Sequence, residues 1–170
     1  MEFFKLFLLG ASGYLLAALY DVTLLKGYYR ISRLLYLGFF VTALPFLFLF
    51  SRFESPHHPT FKVLLILIMA ANATLLIYSV LVEIPLKSSK SGSLYTGGTY
   101  TICRHPGFLW FSFFNVSASL FFWYTPITLV LAGYTLCNFA LVTLEDRVLF
   151  PKMFPQYGEY KKTTPFLIPR

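Results

Sequence analysis

Residues Gly107–Leu144 read GFLWFSFFNVSASLFFWYTPITLVLAGYTLCNFALVTL, 38 positions without a charge. A bilayer core of about 30 Å needs about 20 helical residues to cross it. The run is long enough to cross twice. Tyr124-Thr125-Pro126 supplies the break, because proline is tolerated in the first turn of a helix and not in its interior. The stretch therefore predicts a tight helical hairpin, and the rest of the chain is read outward from it.

Three more apolar runs cover roughly 3–21, 31–51 and 63–86. With the hairpin they predict an all-α, polytopic membrane protein of five transmembrane helices, one domain over 1–170. The runs are continuous and lack the two-residue alternation of a lipid-facing barrel strand. Composition agrees: 57% of residues are hydrophobic and 12% charged, against about 25% charged in a soluble domain. So few charges cannot cover so much apolar surface, which places the chain in lipid. Met1-Glu2-Phe3-Phe4-Lys5 leads straight into the first run, without a strongly basic start or a small-residue cleavage site. It reads as an uncleaved first span rather than a signal peptide.

The net charge of +7 raises the question of nucleic acid. In a membrane protein, lysine and arginine collect on cytoplasmic loops instead. With the N-terminus outside, only Lys5, Arg52 and Lys62 of the 14 Lys and Arg residues fall on the outer side. This predicts a cytoplasmic C-terminus, with membrane lipids rather than nucleic acid as partners. The loop 87–106 and the tail 145–170 then share the cytoplasmic face. Ser88-Ser89-Lys90-Ser91-Gly92-Ser93 reads as a flexible linker.

Two polar clusters bracket the hairpin. Before it stands Tyr100-Thr101-Ile102-Cys103-Arg104-His105-Pro106. Pro106 suits the first turn of a helix, whose free N–H groups and dipole favour an anion. Arg104 adds a bidentate cation, and His105 can donate or accept near neutral pH. The plainer alternative is an interfacial anchor at lipid phosphates. After the hairpin come Glu145-Asp146, which suit a cationic ligand or a ribose, or an ion pair with Arg104, Arg147 or Lys152. Tyr157 and Tyr160 share one helical face, as pocket residues or as an interfacial aromatic belt. Lys161-Lys162 reads as a headgroup contact. Cys103 and Cys137 lack CxxC spacing and read as free thiols. His57-His58 reads as a solvated loop, and no metal site is predicted. Asn72, Asn115 and Asn138 read as helix-packing amides or as cavity-facing groups.

As an ordered set, these residues resemble the integral membrane methyltransferases typified by isoprenylcysteine carboxyl methyltransferase, with phospholipid N-methyltransferases as relatives. The likeness covers about 92–169. It runs from Leu94-Tyr95-Thr96-Gly97-Gly98-Thr99-Tyr100 through Arg104-His105-Pro106-Gly107-Phe108. It resumes at Glu145-Asp146-Arg147-Val148-Leu149, Phe154-Pro155-Gln156-Tyr157-Gly158-Glu159-Tyr160 and Pro165 to Pro169. The resemblance implies S-adenosyl-L-methionine as methyl donor, held by the half at about 87–170. It implies a pocket lined by the segment from Gly92 to Tyr95, Leu94 included, and by Tyr100, His105, Pro106, Gly107, Phe108, Glu145, Asp146 and Tyr157. Arg104 and Glu145 are the catalytic candidates, Arg104 to orient a lipophilic or prenylated acceptor.

The chain departs from the family pattern at several positions. Phe108 replaces a tyrosine, Trp110 and Pro155 replace glycines, and Asp146 shortens a glutamate. Leu141 stands where the prenylcysteine enzymes place an arginine, which argues against prenylcysteine itself as the acceptor. Two other readings stay open. Sterol and steroid reductases, which bind NADPH, carry a similar tail and an Arg-His-Pro motif, with asparagine where this chain has Gly107. A non-catalytic membrane protein would also tolerate the changes at Phe108, Trp110 and Leu141.

Overall fold

The structure is a computed structural model that describes residues 2–84 and 94–168. Expectations that fall on Lys87, Lys90, the linker to Ser93, Gly92, Pro169 and Arg170 lie outside the described residues. Every regular element among the described residues is helical.

Helix α1 spans Glu2–Leu25. Three short helices follow: α2 (Tyr29–Leu35), α3 (Gly38–Val41) and α4 (Leu44–Arg52). Pro45, in the first turn of α4, marks the last of these breaks, since it has no N–H to give the preceding turn. Helix α5 (Pro59–Ile77) continues into a π-helical segment, Tyr78–Glu83. A 3-10 turn at Gly98–Thr101 precedes α6 (Pro106–Phe122). Helix α7 (Thr125–Leu144) continues through a second π segment, Glu145–Leu149, into α8 (Phe150–Met153). Helix α9 (Tyr157–Thr163) lies in the tail.

Four helical columns are long and apolar enough to cross a membrane: Glu2–Leu25, Tyr29–Arg52, Pro59–Glu83 and Thr125–Met153. Helix α6 is also apolar but has 17 residues. At 1.5 Å per residue it is about 26 Å long, a little under the bilayer core. The expected hairpin is present. Trp123 ends α6 in the left-handed region (φ 46°), Tyr124 is extended, and Thr125-Pro126 open α7.

Small residues let the backbones approach. A Cβ on Gly13 would lie 2.7 Å from the Thr42 nitrogen, and one on Gly38 would lie 2.9 Å from the Gly13 carbonyl oxygen. Helices α1 and α3 thus touch backbone to backbone, a packing mode that associates helices where no hydrophobic effect can. Tyr134 is buried in α7 and donates its hydroxyl to the Leu6 carbonyl of α1. Asn115 takes the packing role. Its Nδ2 donates to Thr135 Oγ1 at 2.9 Å, across the hairpin. Asn72 instead donates to Ile68 O on its own helix, at 2.8 Å. Leu49, Leu65, Phe111, Ala118, Ile127 and Leu131 fill the core between helices. At one end of the bundle the His57 ring pairs its Nε2 with Leu120 O at 2.6 Å, tying that loop to the end of α6.

Candidate functional site

The opposite end of the bundle is polar. Arg104 and His105 stand just before α6. The π segments close α5 and α7 at that same end, and each carries acids: Glu83 in one, Glu145 and Asp146 in the other. A π turn inserts an extra residue and re-aims the side chains after it, which is why such turns recur at functional sites. Asp21, in the last turns of α1, joins them. Four of the chain's seven acids therefore meet here. Asp21, Glu83 and Asp146 are buried, and the Glu145 side chain is 15% exposed.

Arg104 and Asp146 form the first of three linked groups. Arg104 donates Nε to Asp146 Oδ1 at 2.7 Å and Nη2 to Oδ2 at 3.3 Å. Its Nη1 donates to Thr164 O at 2.6 Å and to Lys161 O at 3.3 Å. Its backbone N–H donates to Pro165 O at 2.9 Å. Asp146 also accepts the Tyr157 hydroxyl at 2.6 Å and the Lys161 ammonium at 3.0 Å. The Phe166 ring lies 5.7 Å from the Arg104 guanidinium carbon. This closed network clamps the tail onto the Arg-His-Pro turn. Arg104, expected to orient an acceptor, is committed to protein oxygens. Tyr157 and Tyr160 face inward and are buried rather than forming a belt, and Lys161 serves Asp146.

Glu83 anchors the second group. It accepts the Thr99 N–H at 3.2 Å, the Thr99 hydroxyl and the Tyr95 hydroxyl at 3.3 Å. Gly98 makes this possible: its φ is +54°, and a Cβ there would lie 1.5 Å from Glu83 Oε1. Tyr95 and Tyr100 meet edge to face at 5.8 Å. Tyr100 accepts the Tyr160 hydroxyl on its carbonyl at 2.6 Å. Burial, then the nearby charges of Glu145, Tyr160 and Glu83, hold the Tyr100 phenol pKa above its usual range.

The third group is Asp21, Glu145 and His105. His105 Nδ1 lies 3.5 Å from Glu145 Oε2, and Nε2 lies 3.7 Å from Asp146 Oδ1. Phe150 stacks on the imidazole at 5.8 Å and Phe166 meets it edge-on at 5.3 Å. Burial pushes the His105 pKa below the usual value; Asp146 pulls it up, while Arg104 and Lys161 push it down. Asp21, from α1, lies beside Glu145. Asp21 Oδ2 and His105 Nε2 are buried without another partner.

The remaining sequence candidates are more dispersed. Pro106 is buried at the start of α6. Gly107 gives α5 its close approach, since a Cβ would lie 2.8 Å from Val80 Cγ2. Phe108 packs on Phe139 at 5.9 Å. Leu94 lines a hollow of about 460 Å³ with Thr96, Thr101, Gln156, Tyr160 and Thr164. The Trp110 indole N–H is buried without a partner. Sequence reading missed Asp21 and Glu83. Their signal was present: each is an acid inside an apolar run, and such residues are functional candidates by default. Among the described residues, no three His, Cys, Asp or Glu side chains are grouped to hold a metal ion.

Comparison with known proteins adds a partial likeness. Over 86 residues the chain is 31% identical to the cobalt-zinc-cadmium resistance protein CzcN of Cupriavidus metallidurans. The aligned part is 50% of this chain and 39% of that protein, so the chain spans about two fifths of the relative's length. No protein-family model and no solved structure matches the chain.

Proposed function

We propose that this chain is an integral membrane methyltransferase, similar to the isoprenylcysteine carboxyl methyltransferases, that uses S-adenosyl-L-methionine and a lipophilic acceptor reaching it from the bilayer. The reading takes α6 as a fifth, slightly short crossing and puts the N-terminus outside and the polar end in the cytoplasm. The observation that carries it is the meeting of the Arg-His-Pro turn with Glu145 and Asp146 at one end of the bundle. The motif-level resemblance described above supplies the reaction. The name of the partial relative carries metal resistance for that protein and no reaction for this one.

The residues present fit the donor's ammonium group. Asp21 and Glu145 form a carboxyl pair with a buried oxygen, Asp21 Oδ2, that no protein donor satisfies. A hollow of about 460 Å³ beside Tyr160 is lined by Leu94, Thr96, Thr101 and Thr164, and not by Asp21 or Glu145. Glu145 and Asp21 would hold the ammonium, Tyr95 and Tyr100 would offer aromatic faces to the sulfonium or adenine, and Leu94 and Tyr160 would border the nucleoside. When bound, the donor supplies an electrophilic methyl group on a sulfonium. The chain's own contribution is rigid positioning and exclusion of water. The Arg104–Asp146–Tyr157 network fixes the turn and the tail, and Phe150 and Phe166 cover His105. Arg104 therefore acts through position, and Glu145 is the residue assigned to ligand contact.

Equilibrium binding of labelled S-adenosylmethionine and of NADPH to the purified protein in detergent tests the reading. Binding of the first and not the second is expected, with a Glu145→Gln variant weaker by about tenfold or more, the loss of one charge-assisted hydrogen bond. Preference for NADPH would install the reductase reading, and binding of neither would leave a non-catalytic membrane protein. Methyl transfer to a panel of lipophilic carboxylates, thiols and amines then identifies the acceptor class.

A further inference from the structure

At the polar end of the bundle the acids are inside and the cations outside. Asp21, Glu83 and Asp146 are buried, and Glu145 is mostly covered. The exposed Glu159 pairs with Lys162 at 2.7 Å. Lys161 and Lys162, the pair that reads from sequence as headgroup contacts, are thus taken by Asp146 and Glu159. Lys26, Arg30, Arg33, Arg147 and Lys152 are exposed at the same end and form no ion pair among the described residues. The outer surface of this end is therefore cationic, because the acids that would offset these side chains face inward.

Lys26, Arg30 and Arg33 stand on one short stretch where the chain leaves α1 and enters α2. The turn that carries them is pinned. Tyr28 N–H donates to Thr23 O at 2.9 Å and Gly27 N–H to Leu24 O at 3.0 Å. This helix stop uses the left-handed φ of +77° at Gly27, a conformation glycine adopts without penalty. Ser32 is buried, with its hydroxyl 3.0 Å from that of Thr23 and donating to Tyr28 O at 3.1 Å, which ties α2 to α1. Around the cations, Tyr28, Tyr29, Ile31 and Leu34 are each more than half exposed. In a bilayer, exposed tyrosines mark the headgroup level, and lysine and arginine there extend their charged ends to it.

We propose that the Lys26–Arg33 turn is a binding surface for the headgroups of anionic membrane lipids. Lys26, Arg30 and Arg33 supply the charge, the arginines with a planar fork suited to phosphate. Tyr28 and Tyr29 set the turn at headgroup depth. A pinned turn loses less freedom on binding than a flexible basic tail does. Each cation near an anionic lipid surface contributes about fivefold in affinity, the equivalent of about 1 kcal/mol, and salt screens it. None of these residues belongs to the proposed donor site, so the surface stands or falls separately from it.

Equilibrium binding of fluorescent phosphatidylglycerol and fluorescent phosphatidylcholine to the full chain in uncharged detergent tests this. Phosphatidylglycerol is expected to bind about tenfold tighter or more at low salt, with the preference shrinking at about 1 M salt, where the screening length is about 3 Å. Arg30→Gln and Arg33→Gln are each expected to weaken phosphatidylglycerol about fivefold. With Lys26→Gln added, the triple variant is expected to bind the two lipids alike. Arg52→Gln and Lys62→Gln, at the other end, should leave the preference unchanged. Equal affinity of the wild type for both lipids, a preference that salt or the triple substitution does not reduce, or one that the Arg52 and Lys62 variants abolish would overturn the assignment. Displacement of the lipid by millimolar inorganic phosphate would make the turn a small-anion site, and displacement by a single-stranded oligonucleotide a nucleic-acid surface; either result overturns the lipid as occupant. If the triple variant does not fold, the single variants and the salt dependence of the wild type decide the matter.

Discussion

The two ends of this helical bundle are built on different principles. At the His57 end the contacts are aromatic and aliphatic: Phe50 lies 5.0 Å from Phe122, His57 meets Trp123 at 5.9 Å, and one imidazole bonds a main-chain oxygen. At the Arg104 end four acids, an arginine, a histidine and four tyrosines are interlocked. Packing alone can hold helices in lipid, as Gly13 against Gly38 does here. A desolvated polar network ties its elements together too, and it is costly if one member is missing. The difference teaches that the polar end depends on each of its members, whereas the apolar end spreads its contacts over many side chains.

Removing a member of the network should break the comparison most visibly. Arg104→Ala leaves Asp146 buried without its bidentate partner and frees Thr164 O, for a loss of about 3–5 kcal/mol. Thermal unfolding of the detergent-solubilised variant should show it, and tryptic cleavage in the tail should rise because residues 161–165 lose their anchor. A variant as stable as the wild type would mean that the clamp is dispensable. In the apolar body, Gly38→Leu forces α1 and α3 apart and should cost about 1–3 kcal/mol by overpacking, with no increase in tail proteolysis. A smaller effect concerns pH. His105 is held neutral by burial, so its folded pKa is depressed below the unfolded value of 6.5. The unfolded chain then binds the extra proton. Stability from this group is present above about 6.5 and is lost as pH falls from there through the folded value. His105→Gln should flatten that part of the stability profile, whereas His57→Gln at the other end should leave it unchanged.

Much of the architecture was readable from hydropathy. The hairpin turned where Tyr124-Thr125-Pro126 said it would, since proline and the length of an apolar run act locally. The convergence of Arg104-His105 with Glu145-Asp146 also followed from hairpin geometry. Pairing within that cluster did not. Which acid takes Arg104 depends on the direction in which the π segment turns Asp146 and Glu145, and neighbouring residues of one helix point different ways. Glu83 and Asp21 come from the other columns, which no spacing links to the motif. The breaks between α2, α3 and α4 escaped notice because an apolar run looks the same whether its helix is straight or interrupted.

By itself the sequence determined that this chain is a helical membrane protein with a polar turn and an acidic pair at one end of a hairpin. Composition, run length and proline position fix these, because lipid leaves the backbone no choice but to satisfy its own hydrogen bonds. Tertiary structure alone decided that Arg104 belongs to Asp146 and that Glu145 meets Asp21. Those pairings join side chains 42 and 124 positions apart, and only the packing of whole columns sets such distances.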